Sequence, residues 1–175
     1  GKNYETGLKA DWMDGRLTTN VAVFRIEQEN AGEAISGEFV NGSSEQAYHA
    51  TKGAVSKGAE FEVNGAVTDN LQLTFSATRY AARDSDGRFN SFAPQTQLKL
   101  FSRYRVPVLS DLTVGGGVNW QNRVYKDVTG PDGETQRLYQ GSYPLVDLFA
   151  QYQLTKQLAV QANVRNLFDR EYSSY

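Results

Sequence analysis

GAEFEVNGAVTDNLQLTFSATRY, residues 58–80, is the stretch on which the fold turns. Ala59, Phe61 and Val63 alternate with Glu60, Glu62 and Asn64, and Leu71, Leu73, Phe75 and Ala77 alternate with Gln72, Thr74, Ser76 and Thr78. A period of two puts each set on one face of a pleated strand. Thr68-Asp69-Asn70 between them is turn chemistry, so the segment predicts a tight β-hairpin with one apolar and one polar face.

The same reading extends in both directions. Tyr4, Thr6, Leu8, Ala10 and Trp12 oppose Glu5, Gly7, Lys9 and Asp11, and the run ends at Asp14-Gly15. In the next run Ala22, Phe24 and Ile26 are assigned to the apolar face, although Val21 and Val23 leave that register open. Downstream, Leu98, Leu100, Ser102 and Tyr104 oppose Gln97, Lys99, Phe101, Arg103 and Arg105. Leu112, Val114, Gly116, Val118 and Trp120 follow, then Val146, Leu148, Ala150 and Tyr152, then Leu158, Val160, Ala162 and Val164. This pattern predicts eight strands. Connections alternate between short turns and three long polar segments, near residues 27–56, 83–95 and 125–141, which read as surface loops.

Strands of about ten residues, short turns at one end, long loops at the other and one apolar face are the features of a membrane β-barrel. A soluble antiparallel barrel or sandwich shares the alternation, with the apolar residues inside. Aromatic residues near strand ends (Tyr4, Trp12, Tyr80, Tyr104, Trp120, Tyr143, Tyr152) favour the membrane reading, because interfacial girdles need them.

Composition removes several functions. With 18 Lys and Arg against 20 Asp and Glu, and no basic run, there is no footprint for nucleic acid. The 175 residues contain no cysteine, which removes disulfides and thiol chemistry. No apolar stretch approaches the length of a membrane helix. The one histidine, His49, lies near Ser43, Ser44 and Glu45 but has no third group to orient it as a base, so it reads as a solvated loop residue. Glu60 and Glu62 share a face as a pair of glycosidase acids would, and read instead as inward charges. The glycines at 115–117 sit inside a strand and lead into no helix, which points to close backbone approach or bending and not to a phosphate cradle. No catalytic or metal-ligating set emerges, and the expectation is a protein that is not an enzyme and needs no cofactor.

NVRNLFDREY, residues 163–172, breaks the alternation with Asp169, Arg170 and Glu171, charges that cost kilocalories per mole at mid-bilayer and little at its surface, so the strand has reached water. This stretch resembles the C-terminal signature of TonB-dependent outer-membrane receptors, carried by Asn166, Leu167, Phe168, Asp169 and Tyr172. NYETGLKADWMDGRL, the 53–80 segment, LTVGGGVNWQNRVY and YPLVDLFAQYQLTKQLAVQANVRNLFD are similar to the ferric-siderophore branch of the family. Within it the chain is most similar to the ferric-coprogen receptor group, with ferric-pyoverdine receptors next. The resemblance implies an all-β fold: an antiparallel transmembrane β-barrel, of which residues 1–175 are the C-terminal part, about eight of 22 strands. The plug domain, the TonB-contacting segment and the closing strand would lie outside this sequence, which stops at Tyr175.

The implied function is ferric hydroxamate-type siderophore uptake across the bacterial outer membrane, energised through TonB. The implied partners are the chelate, outer-membrane lipid, and the rest of the barrel with its plug. A self-contained small barrel with a structural or adhesive role is the alternative. Candidate ligand contacts in the long loops are Tyr80, Arg83, Phe89, Tyr125, Arg137, Tyr139 and Tyr143, residue types that offer ring faces, hydroxyls and guanidinium donors.

Overall fold

The computed structural model describes residues 1–29, 31–51, 53–84, 86–91, 93–130 and 132–172. Parts of the loops predicted above (Asn30, Lys52, Ser85, Phe92 and Pro131) and the stop at Tyr175 lie outside the described residues. The strands are β1 (Lys2–Trp12), β2 (Leu17–Glu27), β3 (Ala31–Phe39), β4 (Gln46–Thr51), β5 (Val55–Ala66), β6 (Leu71–Arg83), β7 (Thr96–Arg105), β8 (Leu112–Gln121), β9 (Val124–Thr129), β10 (Thr135–Gln140), β11 (Tyr143–Gln153) and β12 (Ala159–Val164).

Eight of them form one antiparallel sheet in the order β1-β2-β5-β6-β7-β8-β11-β12. The other four are two hairpins, β3–β4 and β9–β10, each a separate two-stranded sheet. The eight-strand prediction therefore holds for the main sheet. Two of the three predicted loops need correcting, since each carries a hairpin. These are rich in Gly, Ser, Thr and Glu, and lack the one-sided apolar stripe by which a strand is recognised in sequence.

The four short connections lie at one end. Residues 13–16 reverse the chain with Met13 and Asp14 at φ 54° and 56° and Gly15 at φ 82°. At 67–70 the Thr68 hydroxyl accepts from the Leu71 amide at 3.0 Å. The β7–β8 connection is a single 3₁₀ turn, Pro107–Leu109. At β11–β12 the Thr155 hydroxyl accepts from the Leu158 amide at 3.1 Å.

Register fixes the faces, because directly opposed residues share one. Following one row across the sheet gives Trp12, Leu17, Gly65, Leu73, Ser102, Gly116, Leu148 and Val164. The next gives Val63, Phe75, Leu100, Val118 and Val146. Apart from Ser102 these rows are apolar across the sheet. The first row starts at the short-turn end of β1 and finishes on the last residue of β12 at the long-loop end. Such a stagger is what tilted barrel strands produce.

Pairing also corrects the assignment in β2. Leu8 opposes Val21, which opposes Phe61, so Val21 and Val23 belong to the apolar face, while Ala22 and Phe24 oppose Glu60 and Gly58 on the other. Four consecutive apolar residues, 21–24, had hidden the period. Two of the girdle aromatics also change face. Tyr80 and Tyr143 continue the polar rows of β6 and β11, whereas Tyr4, Trp12, Tyr104, Trp120 and Tyr152 lie on the apolar face near its two rims. The Trp12 indole N–H donates to the Thr19 hydroxyl at 2.9 Å, so its polar edge is satisfied on that face.

Among the described residues nothing covers the apolar face. Leu8 is 81% exposed and Leu148 45%, and no large side chain among the described residues is fully enclosed. A soluble sandwich would bring Leu73, Phe75, Val146, Leu148 and Val160 together in a dry interior. Here they line the open side of a single layer, an arrangement that suits a hydrocarbon solvent.

Candidate functional site

The opposite, polar face carries its charges in separate strips. Glu60 and Glu62 lie on β5, and Lys99, Arg103 and Arg105 on β7, with Thr74, Ser76 and Thr78 of β6 between them. Among the described residues no ion pair joins the two strips. Beside them Phe101 and Phe149 stack with centroids 5.7 Å apart and planes 8° from parallel. The stack is possible because β8, which separates their strands, presents Gly115 and Gly117 there. A Cβ at Gly115 would collide with the Phe149 ring and the Ser102 carbonyl. On the apolar face the same strand presents Gly116, whose Cβ would run into Leu148. Close approach, one on each face, is thus the reason for Gly115 and Gly116, while a Cβ at Gly117 would lie 3.2 Å from the Leu100 carbonyl oxygen. A groove of about 400 Å³ adjoins the stack, lined by Thr74, Lys99, Phe101, Asp147, Phe149 and Arg165 among others.

At the long-loop end the candidate ligand contacts fall into three groups. Arg83 holds its guanidinium 3.6 Å from the centroid of Phe89 and donates to the Gly87 carbonyl at 2.7 Å. This loop is set by Asp84, whose carboxylate accepts from the amides of Asp86 and Arg88 at 3.0 and 2.8 Å. On the β9–β10 hairpin Arg137 lies 4.3 Å from the Tyr125 ring centroid and makes a bidentate pair with Asp127 at 2.7 and 2.9 Å. Hydrogen bonding from Arg137 holds the Asp127 carboxyl below its usual range, and Asp127 raises Arg137 in turn. Tyr139 stands opposite Tyr125 in the hairpin. The two regions are tied together, the Tyr125 amide donating to the Ser91 carbonyl at 2.8 Å.

The third group joins the mouth to the C-terminal motif. Tyr143, nearly buried, stacks on Tyr172 at 5.1 Å. Tyr80 lies apart from it at the top of β6, its amide bonded to the Gln95 carbonyl at 2.8 Å. Both arginines have partners within their own loops, and rings beside them are open to solvent: Phe89 is 50% exposed and Tyr139 59%. His49 lies on β4 opposite Glu33, and Ser43 serves its turn, donating to Val40 and accepting from Glu45.

Each polar residue of the motif has a structural task. Beyond Val164 the Asp147 carboxylate accepts from the Asn166 amide at 2.9 Å, and Leu167 donates to the Val146 carbonyl at 2.8 Å. Asn166 turns the chain at φ 48°, and its side chain both accepts from the Arg170 amide at 2.9 Å and donates to the Arg170 carbonyl at 3.1 Å. Asp169, at φ 49°, completes the corner and brings Tyr172 onto Tyr143. Asparagine and aspartate tolerate the left-handed region better than most residues. Asp147 was not singled out from the sequence. The signal for it was a carboxylate in an inward row opposite the end of the last strand.

Residues 1–167 match the β-barrel family described as TonB dependent receptor-like. The chain belongs to that family. The ferripyoverdine receptor of Pseudomonas aeruginosa is 37% identical over 98% of this chain and 22% of its own length. The ferrioxamine B receptor of Salmonella typhimurium is 29% identical over 98% of the chain and 24% of its own. Among solved structures, the P. aeruginosa outer-membrane ferripyoverdine receptor bound to ferripyoverdine superposes with a TM-score of 0.87 at 37% identity, covering 96% of this chain and 23% of that one. The alcaligin outer-membrane receptor of Bordetella pertussis gives 0.73 at 34% identity, covering 94% and 27%. The chain therefore spans between about a fifth and a quarter of the length of these TonB-dependent receptors, whose names are those of siderophore receptors and not of enzymes. Its eight-stranded sheet is a partial wall of their barrel.

Proposed function

We propose that the chain is the C-terminal part of the barrel domain of an outer-membrane receptor that takes up a ferric siderophore, driven through TonB. The observation that carries this reading is the single-layered sheet, its outward face apolar across the middle rows and its inward face polar, in a chain 37% identical to a ferripyoverdine receptor. Hydrocarbon stabilises the outward rows, and the inward strips of Glu60 and Glu62 and of Lys99, Arg103 and Arg105 face a plug with complementary charges. Edge strands β1 and β12 pair with the remaining barrel strands, because unpaired peptide groups are not tolerated in hydrocarbon. No bond is made or broken in the ligand. The mouth contributes ring faces, chiefly Phe89 and Tyr139, over which the chelate passes.

A pyoverdine-type chelate is favoured as ligand by the relatives' names. A ferric hydroxamate of the coprogen or ferrioxamine kind is the second reading, supported by the ferrioxamine B receptor relative. The test is uptake of radioactive iron by an iron-starved strain with and without the intact receptor, supplied as ferric pyoverdine, ferrioxamine B and coprogen in turn. Receptor-dependent uptake of one chelate assigns it. Equal uptake of all three in both strains overturns the proposal.

A further inference from the structure

The outward face is not apolar to its very edge. The row Val21, Phe61, Ala77, Leu98 and Trp120 is apolar throughout. One row toward the long loops come Val23, Ala59, Arg79 and Thr96, and the row beyond holds Tyr4, Arg25, Lys57 and Ala81. Three cations therefore gather on adjacent strands within two rows, just past the row that carries Trp120. Lys57 stands directly opposite Arg25, which puts their Cβ atoms about 5 Å apart, and Arg79 is its diagonal neighbour at roughly 7–8 Å. Like charges so placed repel and destabilise the pairing.

Local acids offset only part of this. Glu27 pairs with Arg25 at 2.5 Å and Glu29 with Lys2 at 2.5 Å. Lys57 and Arg79 are exposed and have no ion pair or hydrogen-bond partner for their charges among the described residues. Glu60 and Glu62 cannot help, since they point to the inward face. Around the two cations the side chains shrink to the methyls of Ala59, Ala77 and Ala81, which leaves room above the sheet, and Val21, Phe61 and Leu98 lie below. The surface matches an amphiphile with an anionic head and hydrocarbon tails. A guanidinium beside an ammonium suits the oxygens of a phosphate group.

From this we infer that Lys57 and Arg79, flanked by Arg25, form a binding site on the outer wall for the phosphate head group of a membrane lipid, an inference that rests on the proposed membrane placement. The cations continue directly from the hydrocarbon-facing rows, so the head group is anchored while its chains lie along Val21, Phe61 and Leu98.

The test uses the intact receptor in phosphatidylcholine bilayers with spin-labelled phosphatidic acid or spin-labelled phosphatidylcholine as probes. The motionally restricted fraction of each label is measured by electron paramagnetic resonance. A restricted fraction for both lipids reports the membrane-embedded wall itself, and its absence would refute the membrane placement rather than the site. The expected result is a several-fold preference for phosphatidic acid, reduced in each of Lys57→Gln and Arg79→Gln and lost in the double variant. The preference should shrink at 0.5 M salt. Glu60→Gln/Glu62→Gln, on the other face, should leave it unchanged, and the heat-dependent gel mobility of every variant reports a folded barrel. Equal restriction of the two lipids in the unaltered receptor, or a preference that survives in the Lys57→Gln/Arg79→Gln double variant, overturns the inference. So does abolition of the preference by millimolar inorganic phosphate, which would mark a site for free anions.

Discussion

Replacing Leu100 by arginine moves a charge across the sheet by one residue, because its neighbour Lys99 already places a cation on the inward face. Leu100 lies in the apolar row with Val63, Phe75, Val118 and Val146, well inside both rims. An arginine facing lipid near the middle of a barrel wall costs about 2–4 kcal/mol. At about 3 kcal/mol the folding equilibrium falls roughly a hundred-fold, since each 1.4 kcal/mol is a factor of ten. The matched control is Thr78→Arg, on the inward face between Glu60 and Gln97, where the same guanidinium gains an acidic neighbour. That substitution should stay within about 0.5 kcal/mol of the parent. Both are measured on the intact receptor refolded into vesicles, as the shift in urea midpoint at a shared slope. If Thr78→Arg costs as much as Leu100→Arg, or more, the assignment of faces is wrong.

Gly115→Val should destabilise the wall by about 1–3 kcal/mol and remove the Phe101–Phe149 stack, since a side chain there meets the Phe149 ring and the Ser102 carbonyl; the same urea titration reads the loss. Asn166→Ala should cost about 2 kcal/mol, through a left-handed backbone and lost side-chain hydrogen bonds, while Asn166→Gly should cost about half that because glycine keeps the conformation cheaply; protease nicking within 166–172 ranks the two. For the β9–β10 hairpin, the Asp127 carboxyl is depressed in the folded state, so its contribution is complete above the unfolded aspartate's pKa of about 4 and is lost as pH falls through the lower folded value. Amide exchange of Lys126 and Leu138 should therefore show no added opening on lowering pH from 7 to 5, once intrinsic rates are corrected, and added opening only below about 4. In Arg137→Gln that acid-dependent step should disappear.

The sequence was most legible where one face is apolar and its neighbour is not. In β5 and β6, Phe61 and Val63 sit between glutamates, and Leu73 and Phe75 between Gln, Thr and Ser, so strand, turn and face can all be read directly. In β2 the same rule fails because Val21, Ala22, Val23 and Phe24 are apolar on both faces, and only pairing to Leu8 and Phe61 decides between them. Phe24 is tolerated inward because it packs against Gly58, a contact across strands that no local pattern announces. The hairpins β3–β4 and β9–β10 were hidden for the opposite reason, being polar on both faces. At the mouth, residue types suggested Arg83 and Arg137 as ligand donors, and what they could not show is that each also has partners within its own loop, Phe89 and Gly87 for one and Tyr125 and Asp127 for the other. The cation cluster at Arg25, Lys57 and Arg79 was invisible because its members come from three strands and meet only through register.

Which face meets hydrocarbon can be measured residue by residue along β7. These 175 residues contain no cysteine, so single cysteines at 98 to 103 can each carry a spin label with no competing thiol among them. In vesicles, labels at Leu98, Leu100 and Ser102 should collide readily with oxygen and poorly with a water-soluble nickel chelate, while those at Lys99, Phe101 and Arg103 should show low oxygen accessibility. A reversed phase, or no two-residue alternation at all, would contradict a wall whose apolar rows face the membrane.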